Sequence, residues 1–156
     1  MKKLAFFCFL LFSCSCIAKD IGYDPLADPF QQIDESAIQA KKENKYILVI
    51  SGGDWCRWCH VLDDYLSSNK KIYNDLKNSF VLMKVYLGDK NYNDEFFSQL
   101  PESKGAPHFW VLNANKEVLL SQNTSVFEKG RNSYDDEVFT KFINLIEEHK
   151  SKSGSR

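Results

Sequence analysis

Residues 46–59 constrain this chain more than any other stretch. Tyr46-Ile-Leu-Val-Ile50 is an unbroken apolar run rich in β-branched side chains, Ser51-Gly52-Gly53 closes it, and Cys56-Arg57-Trp58-Cys59 follows. A short run that is apolar at every position reads as a strand covered on both faces, as in a parallel sheet. Past the glycines the apolar period becomes helical: Trp58, Val61, Leu62, Tyr65 and Leu66 fall at i, i+3, i+4, i+7 and i+8. The two cysteines therefore stand at a strand-to-helix junction, with Asp54 placed to cap the helix.

The rest of the chain extends that unit. A helix is expected over about 34–44, its apolar face made by Ile33, Ala37, Ile38 and Ala40. After Ser67-Ser68-Asn69, a second turn or two passes through Ile72, Tyr73 and Leu76, and Phe80–Leu87 is the next strand. A short helix near 94–100 presents Phe96, Phe97 and Leu100, and His108–Leu112 forms a strand that turns at 113–116 and returns through Glu117–Leu120. The last helix opens at Ser133, with Val138, Phe139, Phe142, Leu145 and Ile146 as its face, and Phe96, Phe97, Phe109 and Trp110 read as core. This order predicts one α/β domain whose central mixed sheet combines a parallel pair with a C-terminal antiparallel hairpin, flanked by helices. The domain is placed at 32–150, after an arm at 19–31 broken by Asp24-Pro25 and Asp28-Pro29, and before a disordered polar tail at 151–156. A chain of 156 residues suits one core of this kind.

The opening residues read as a leader. Lys2 and Lys3 precede the apolar run 4–12, which is too short to span a bilayer core of about 30 Å, and Cys16-Ile17-Ala18 resembles a small-x-small cleavage site. Residues 1–18 are thus expected to be a signal peptide that exports the chain, to the periplasm in a bacterium. Leu11-Phe12-Ser13-Cys14 also resembles a lipobox, and lipidation at Cys14 would anchor the chain to a membrane. Of five cysteines, Cys8, Cys14 and Cys16 lie in or beside the leader, so cleavage after Ala18 leaves only Cys56 and Cys59. A disulfide across two residues closes almost no loop and stabilises little, so the pair points to chemistry. The net charge of −1 offers no basic footprint for nucleic acid.

At a helix N-terminus, free N–H groups and the helix dipole favour a thiolate and lower its pKa from about 8.5 toward 7. Arg57 pushes the same way. Cys56 is therefore the expected nucleophile and Cys59, one turn on, the resolving thiol. Three other readings attach to the same residues. A structural zinc half-site would have to draw further ligands from His60, His108 and His149. Cys56-Arg-Trp-Cys59-His60 also fits the attachment pattern of c-type haem, with Met83 or another histidine as distal ligand. The third is a binding or chaperone module with a static disulfide. The exchange reading needs no metal and no cofactor beyond the redox-active pair itself.

The segment Ile47–Cys59 resembles the strand–loop–Trp-Cys-x-x-Cys segment of the thioredoxin superfamily. The lead-in Lys41-Lys-Glu-Asn-Lys45 and the Gly-Asp-Trp-Cys loop are similar to its exported thioredoxin-like and disulfide-interchange members. Gly105-Ala106-Pro107 matches the position of that family's cis-proline. The resemblance covers about 33–149 and implies a thioredoxin-like fold that exchanges disulfides with exported protein thiols and an upstream redox partner. It further implies that Trp55 packs beside the cysteines, that Pro107 is cis and faces the disulfide, and that the Ala106 backbone bonds an incoming peptide. Arg57 and Trp58 replace the Gly-Pro of thioredoxins and join the substrate-contacting set. The sequence departs from the family at two places. Ile50 occupies the position where thioredoxins carry a buried acid, which leaves Asp54 and His60 as candidates to relay a proton to Cys59. No strand is evident before the first helix.

The mass of the exported chain tests the leader: its first residue is expected to be Lys19, whereas a lipid-bearing Cys14 at the N-terminus would establish the anchored form.

Overall fold

The computed structural model of the chain describes residues 22–153, so the expected leader, with Cys8, Cys14 and Cys16, lies outside the described residues. Helix α1 (Pro29–Glu43) begins earlier than its apolar periodicity suggests. Asp28 accepts hydrogen bonds from the N–H groups of Phe30 and Gln31, and Pro29 takes the first helical position. An Asp-Pro pair there starts a helix instead of breaking a loop, because the proline's missing N–H would have had no partner anyway. The arm expected over 19–31 is therefore helical from Pro29. Ser36 is buried while Ile38 is exposed, so the inner face of α1 is rotated from the expected one.

Strand β1 (Tyr46–Gly52) is buried throughout. Helix α2 (Arg57–Ser68) ends at Asn69, whose side chain accepts from the Ile72 N–H and so opens α3 (Lys70–Ser79), a full helix in place of the one or two turns expected. Then follow β2 (Phe80–Tyr86), the single turn α4 (Asp94–Phe97), β3 (His108–Leu112) and β4 (Val118–Asn123). A 3-10 turn at Thr124–Phe127 leads to a small ribbon of β5 (Glu128–Lys129) and β6 (Ser133–Tyr134). The last helix, α5 (Asp136–Ser153), thus starts three residues later than expected. Ser133 is spent in the ribbon, and Asp135 instead accepts from the Glu137 and Val138 N–H groups. The helix also continues through Ser153, into the segment expected to be a disordered tail.

Among the described residues the main sheet runs β2-β1-β3-β4, with β1 parallel to β2 and antiparallel to β3. This is the expected mixed sheet, and no strand precedes α1 among the described residues. Because strand side chains alternate between faces, β1 serves two cores. Leu48 and Ile50 join Leu62, Leu66, Leu76, Phe109 and the α5 residues Phe139, Phe142, Ile143 and Ile146. Ile47 and Val49 join Val81, Met83, Trp110, Phe96 and the α1 side. Leu145 faces solvent and Ile143 takes its expected place. Among the described residues no helix is long and apolar enough to cross a membrane.

Phe109 has no exposed surface and lies 5.6 Å from Phe127 and 6.0 Å from Phe142, ring to ring. Phe109→Ala is expected to lower stability by about 3–5 kcal/mol, measured by urea unfolding.

Candidate active site

The cysteines sit where the buried strand runs out. The Gly53 carbonyl accepts from the Cys56 N–H at 3.0 Å, closing a tight turn, and α2 starts at once. Cys56 is the N-cap: its extended backbone leads into the helix and its Sγ accepts from the Cys59 N–H at 3.1 Å. That corrects the expectation for Asp54, whose carboxylate is instead paired with Lys90 at 2.9 Å on the surface. The cap moves because the turn at Gly53 delivers the Cys56 sulfur, not the carboxylate two residues earlier, to the free N–H groups. Cys56 and Cys59 are joined as a disulfide, and both residues are buried, at 3% and 1% exposure.

The residues around the pair divide into those that frame it and those turned elsewhere. Trp55 is more than half exposed, and its indole N–H donates to the Leu87 carbonyl while the ring lies across Gly53 and Gly88. Arg57 reaches over to the β5–β6 turn, where it donates to the Arg131 carbonyl and Asn132 Oδ1. Both acceptors are neutral, so neither cancels the guanidinium charge. Trp58 packs edge-on against Tyr134, whose hydroxyl donates back to the Trp58 carbonyl. The Ala106–Pro107 bond is cis. Since Ser51 pairs with His108 across β1 and β3, Pro107 comes level with Gly52, at the end of β1 from which the cysteine loop leaves. Of the two relay candidates, Asp54 is tied to Lys90, and the His60 Nε2 lies 2.8 Å from the Asp54 carbonyl. Neither has a hydrogen bond to Cys59.

The histidines and Met83 are dispersed. His108 is buried against Trp110 with its Nε2 2.8 Å from Ser121 Oγ, and burial lowers its pKa, which favours the neutral ring. His149 meets Tyr46 at the opposite end of β1. Met83 belongs to the core on the far face of the sheet from α2. Among the described residues no three His, Cys, Asp or Glu side chains cluster in a way that would hold a metal ion.

Three side chains by the pair were not singled out from sequence. Lys84 lies directly beside Ile50 in the β1–β2 register, largely buried, and binds Asp63 of α2 at 2.5 Å. Tyr23, from the segment before α1, packs into the same core, and Lys84 Nζ stands 4.9 Å from its ring. Asp63 follows Cys59 by four residues, one helical turn, so its proximity was present in the spacing. Lys84 carried a weaker signal, a charge in phase with the inward-facing Phe80 and Leu82. Tyr23 carried none.

The known proteins that this chain resembles agree with that layout. A family model described as thioredoxin-like matches residues 28–114. A disulphide isomerase from Xylella fastidiosa Temecula1 superimposes with a TM-score of 0.66 at 24% identity, over 83% of this chain and 98% of that one. The C-terminal domain of Neisseria meningitidis DsbD, in its oxidised form, gives 0.56 at 13% identity, over 78% and 96%. At these identities the likeness is one of fold. Human spermatogenesis-associated protein 20 is 28% identical over 109 residues, which is 70% of this chain and 13% of that protein. The mouse protein of the same name is 26% identical over 92 residues, 59% of this chain and 12% of its own length. The chain therefore spans about an eighth of the curated relatives it matches.

A methyl group on Gly52 would stand 2.6 Å from Cys59 Sγ and 2.5 Å from Tyr23 Cζ. Gly52→Ala is accordingly expected to cost about 1–3 kcal/mol, seen as a lowered melting temperature of the oxidised protein.

Proposed function

The chain belongs to the thioredoxin-like family, and from that membership we propose that it is a thiol–disulfide oxidoreductase working through Cys56 and Cys59. The observation that carries this reading is the disulfide at the head of α2, with the Cys56 sulfur as the helix cap. Opening the bond leaves Cys56 Sγ facing the Cys59 N–H and the positive end of a helix, an environment that stabilises a thiolate.

In the reduced protein the Cys56 thiolate attacks one sulfur of a substrate disulfide. A mixed disulfide forms, the other substrate sulfur leaves as a thiolate, and Cys59 then attacks Cys56 Sγ to release the reduced substrate and restore the pair. The reverse sequence oxidises a substrate dithiol. Trp55, exposed beside the cysteine loop, and the Ala106–Pro107 edge level with Gly52 form the surface on which a substrate chain is received. Arg57 and Trp58 border it on the side of the β5–β6 turn. The haem reading has less support, because Met83 lies across the sheet from His60 and the two sulfurs bond each other. The leader motif supports substrates that are exported proteins.

Cys56→Ser is expected to reduce insulin-disulfide reduction to background. Cys59→Ser is expected to accumulate a mixed disulfide with substrate, visible on a non-reducing gel. Unchanged turnover in both variants would overturn the exchange reading in favour of a static disulfide.

A further inference from the structure

We propose that Tyr23 is the hydrogen-bond donor that receives the Cys59 thiolate when the active-site disulfide opens, a role that rests on the exchange reading above. When an incoming thiolate attacks Cys56 Sγ, a new sulfur–sulfur bond forms there and the old one breaks. The bonding electron pair leaves on Cys59 Sγ, which becomes an anion in a residue with 1% of its surface exposed. A buried anion is costly unless a donor meets it.

The residues expected to help do not reach it. Ile50 has no polar atom, the Asp54 carboxylate holds Lys90, and the His60 ring is turned to the Asp54 carbonyl. Tyr23 is placed differently. Its hydroxyl is buried and has no hydrogen-bond partner among the described residues, although buried hydroxyls nearly always have one. The point that a Gly52 methyl would occupy lies 2.7 Å from this hydroxyl and 2.6 Å from Cys59 Sγ, so both atoms border one small volume opened by the glycine. A disulfide sulfur is a weak acceptor. A thiolate is a strong one, and the idle donor borders the same small volume as the sulfur.

The charged and titratable groups facing Tyr23 are Asp63 on α2, Lys84 on β2 and Tyr134 on β6. Burial, and after it the Asp63 carboxylate and Tyr134, raise the Tyr23 pKa well above that of a free phenol. The phenol therefore keeps its proton and acts by hydrogen bonding, not by proton transfer. Lys84 is ion-paired with Asp63, so that carboxylate is partly offset where the thiolate forms.

The test is Tyr23→Phe, which keeps the ring and removes only the hydroxyl. Cys59 is followed in the full chain carrying Cys56→Ser, by the pH dependence of its alkylation read by peptide mass spectrometry. Adding Tyr23→Phe is expected to raise the Cys59 midpoint by about one pH unit, a tenfold loss of thiolate. In the chain with both cysteines, Tyr23→Phe is expected to slow dithiothreitol reduction of the Cys56–Cys59 disulfide about tenfold, since Cys59 becomes a poorer leaving group. An unchanged Cys59 midpoint overturns the proposal, and if the melting temperature falls at the same time, Tyr23 only packs. Failure of the exchange reading is separate: it shows as insulin reduction that survives Cys56→Ser, whatever Tyr23 does.

Discussion

The arrangement around the cysteine pair depends on one close approach. At Gly52 the end of β1 has no side chain, and the space is shared by Cys59 Sγ from α2 and the Tyr23 ring from the segment before α1. The strand end, the head of α2 and the distant Tyr23 segment converge there, and any Cβ would force them apart. The approach is held from both sides. The Gly52 carbonyl accepts from the Leu87 N–H at 2.7 Å, which ties it to the end of β2, and Gly53 makes the turn that delivers Cys56 to the helix. A rigid buried strand thus presents a disulfide whose partners are decided by the elements packed around it.

The polar groups beneath the pair follow from which face of the sheet they occupy. β1 and β2 alternate in register, so Ile50 and Lys84 are neighbours on the α2 side, while Met83 and Val49 turn to the α1 side. With an apolar residue at Ile50, the cation at Lys84 needs its counter-ion from elsewhere, and Asp63 supplies it from one helical turn beyond Cys59. The acid paired with Lys84 therefore stands on the helix and not on the strand. It keeps a charged pair near the site without putting a carboxylate in the sheet.

Much of the fold was legible because hydrophobic period is a local property. The runs at 46–50, 80–87 and 108–112 and the α2 stripe lie close to the limits of the elements they form. The misreadings share a cause, competition between local signals. Asp28-Pro29 was read as a break and is a cap. Ser133 looked like the start of a helix but pairs in a ribbon, because Tyr134 is needed in the core against Trp58, Tyr65 and Phe139. Asp54 had the right chemistry to cap α2 and the wrong position, since the Gly53 turn brings a sulfur there first.

By itself the sequence determined the cysteine pair at a strand-to-helix junction and the mixed sheet behind it, because both are written in contiguous residues and their spacing. It determined Pro107 as a position to watch, and its resemblance to a family said what bond to expect there. Tertiary structure alone decided that Arg57 is held by the β5–β6 turn and that Lys84 and Asp63 pair beside Ile50. It alone brought Tyr23 to Cys59, 36 positions away in the chain. The reason is physical: those contacts join residues with no common period, and only the packing of α2 and the N-terminal segment on one face of β1 puts them within reach.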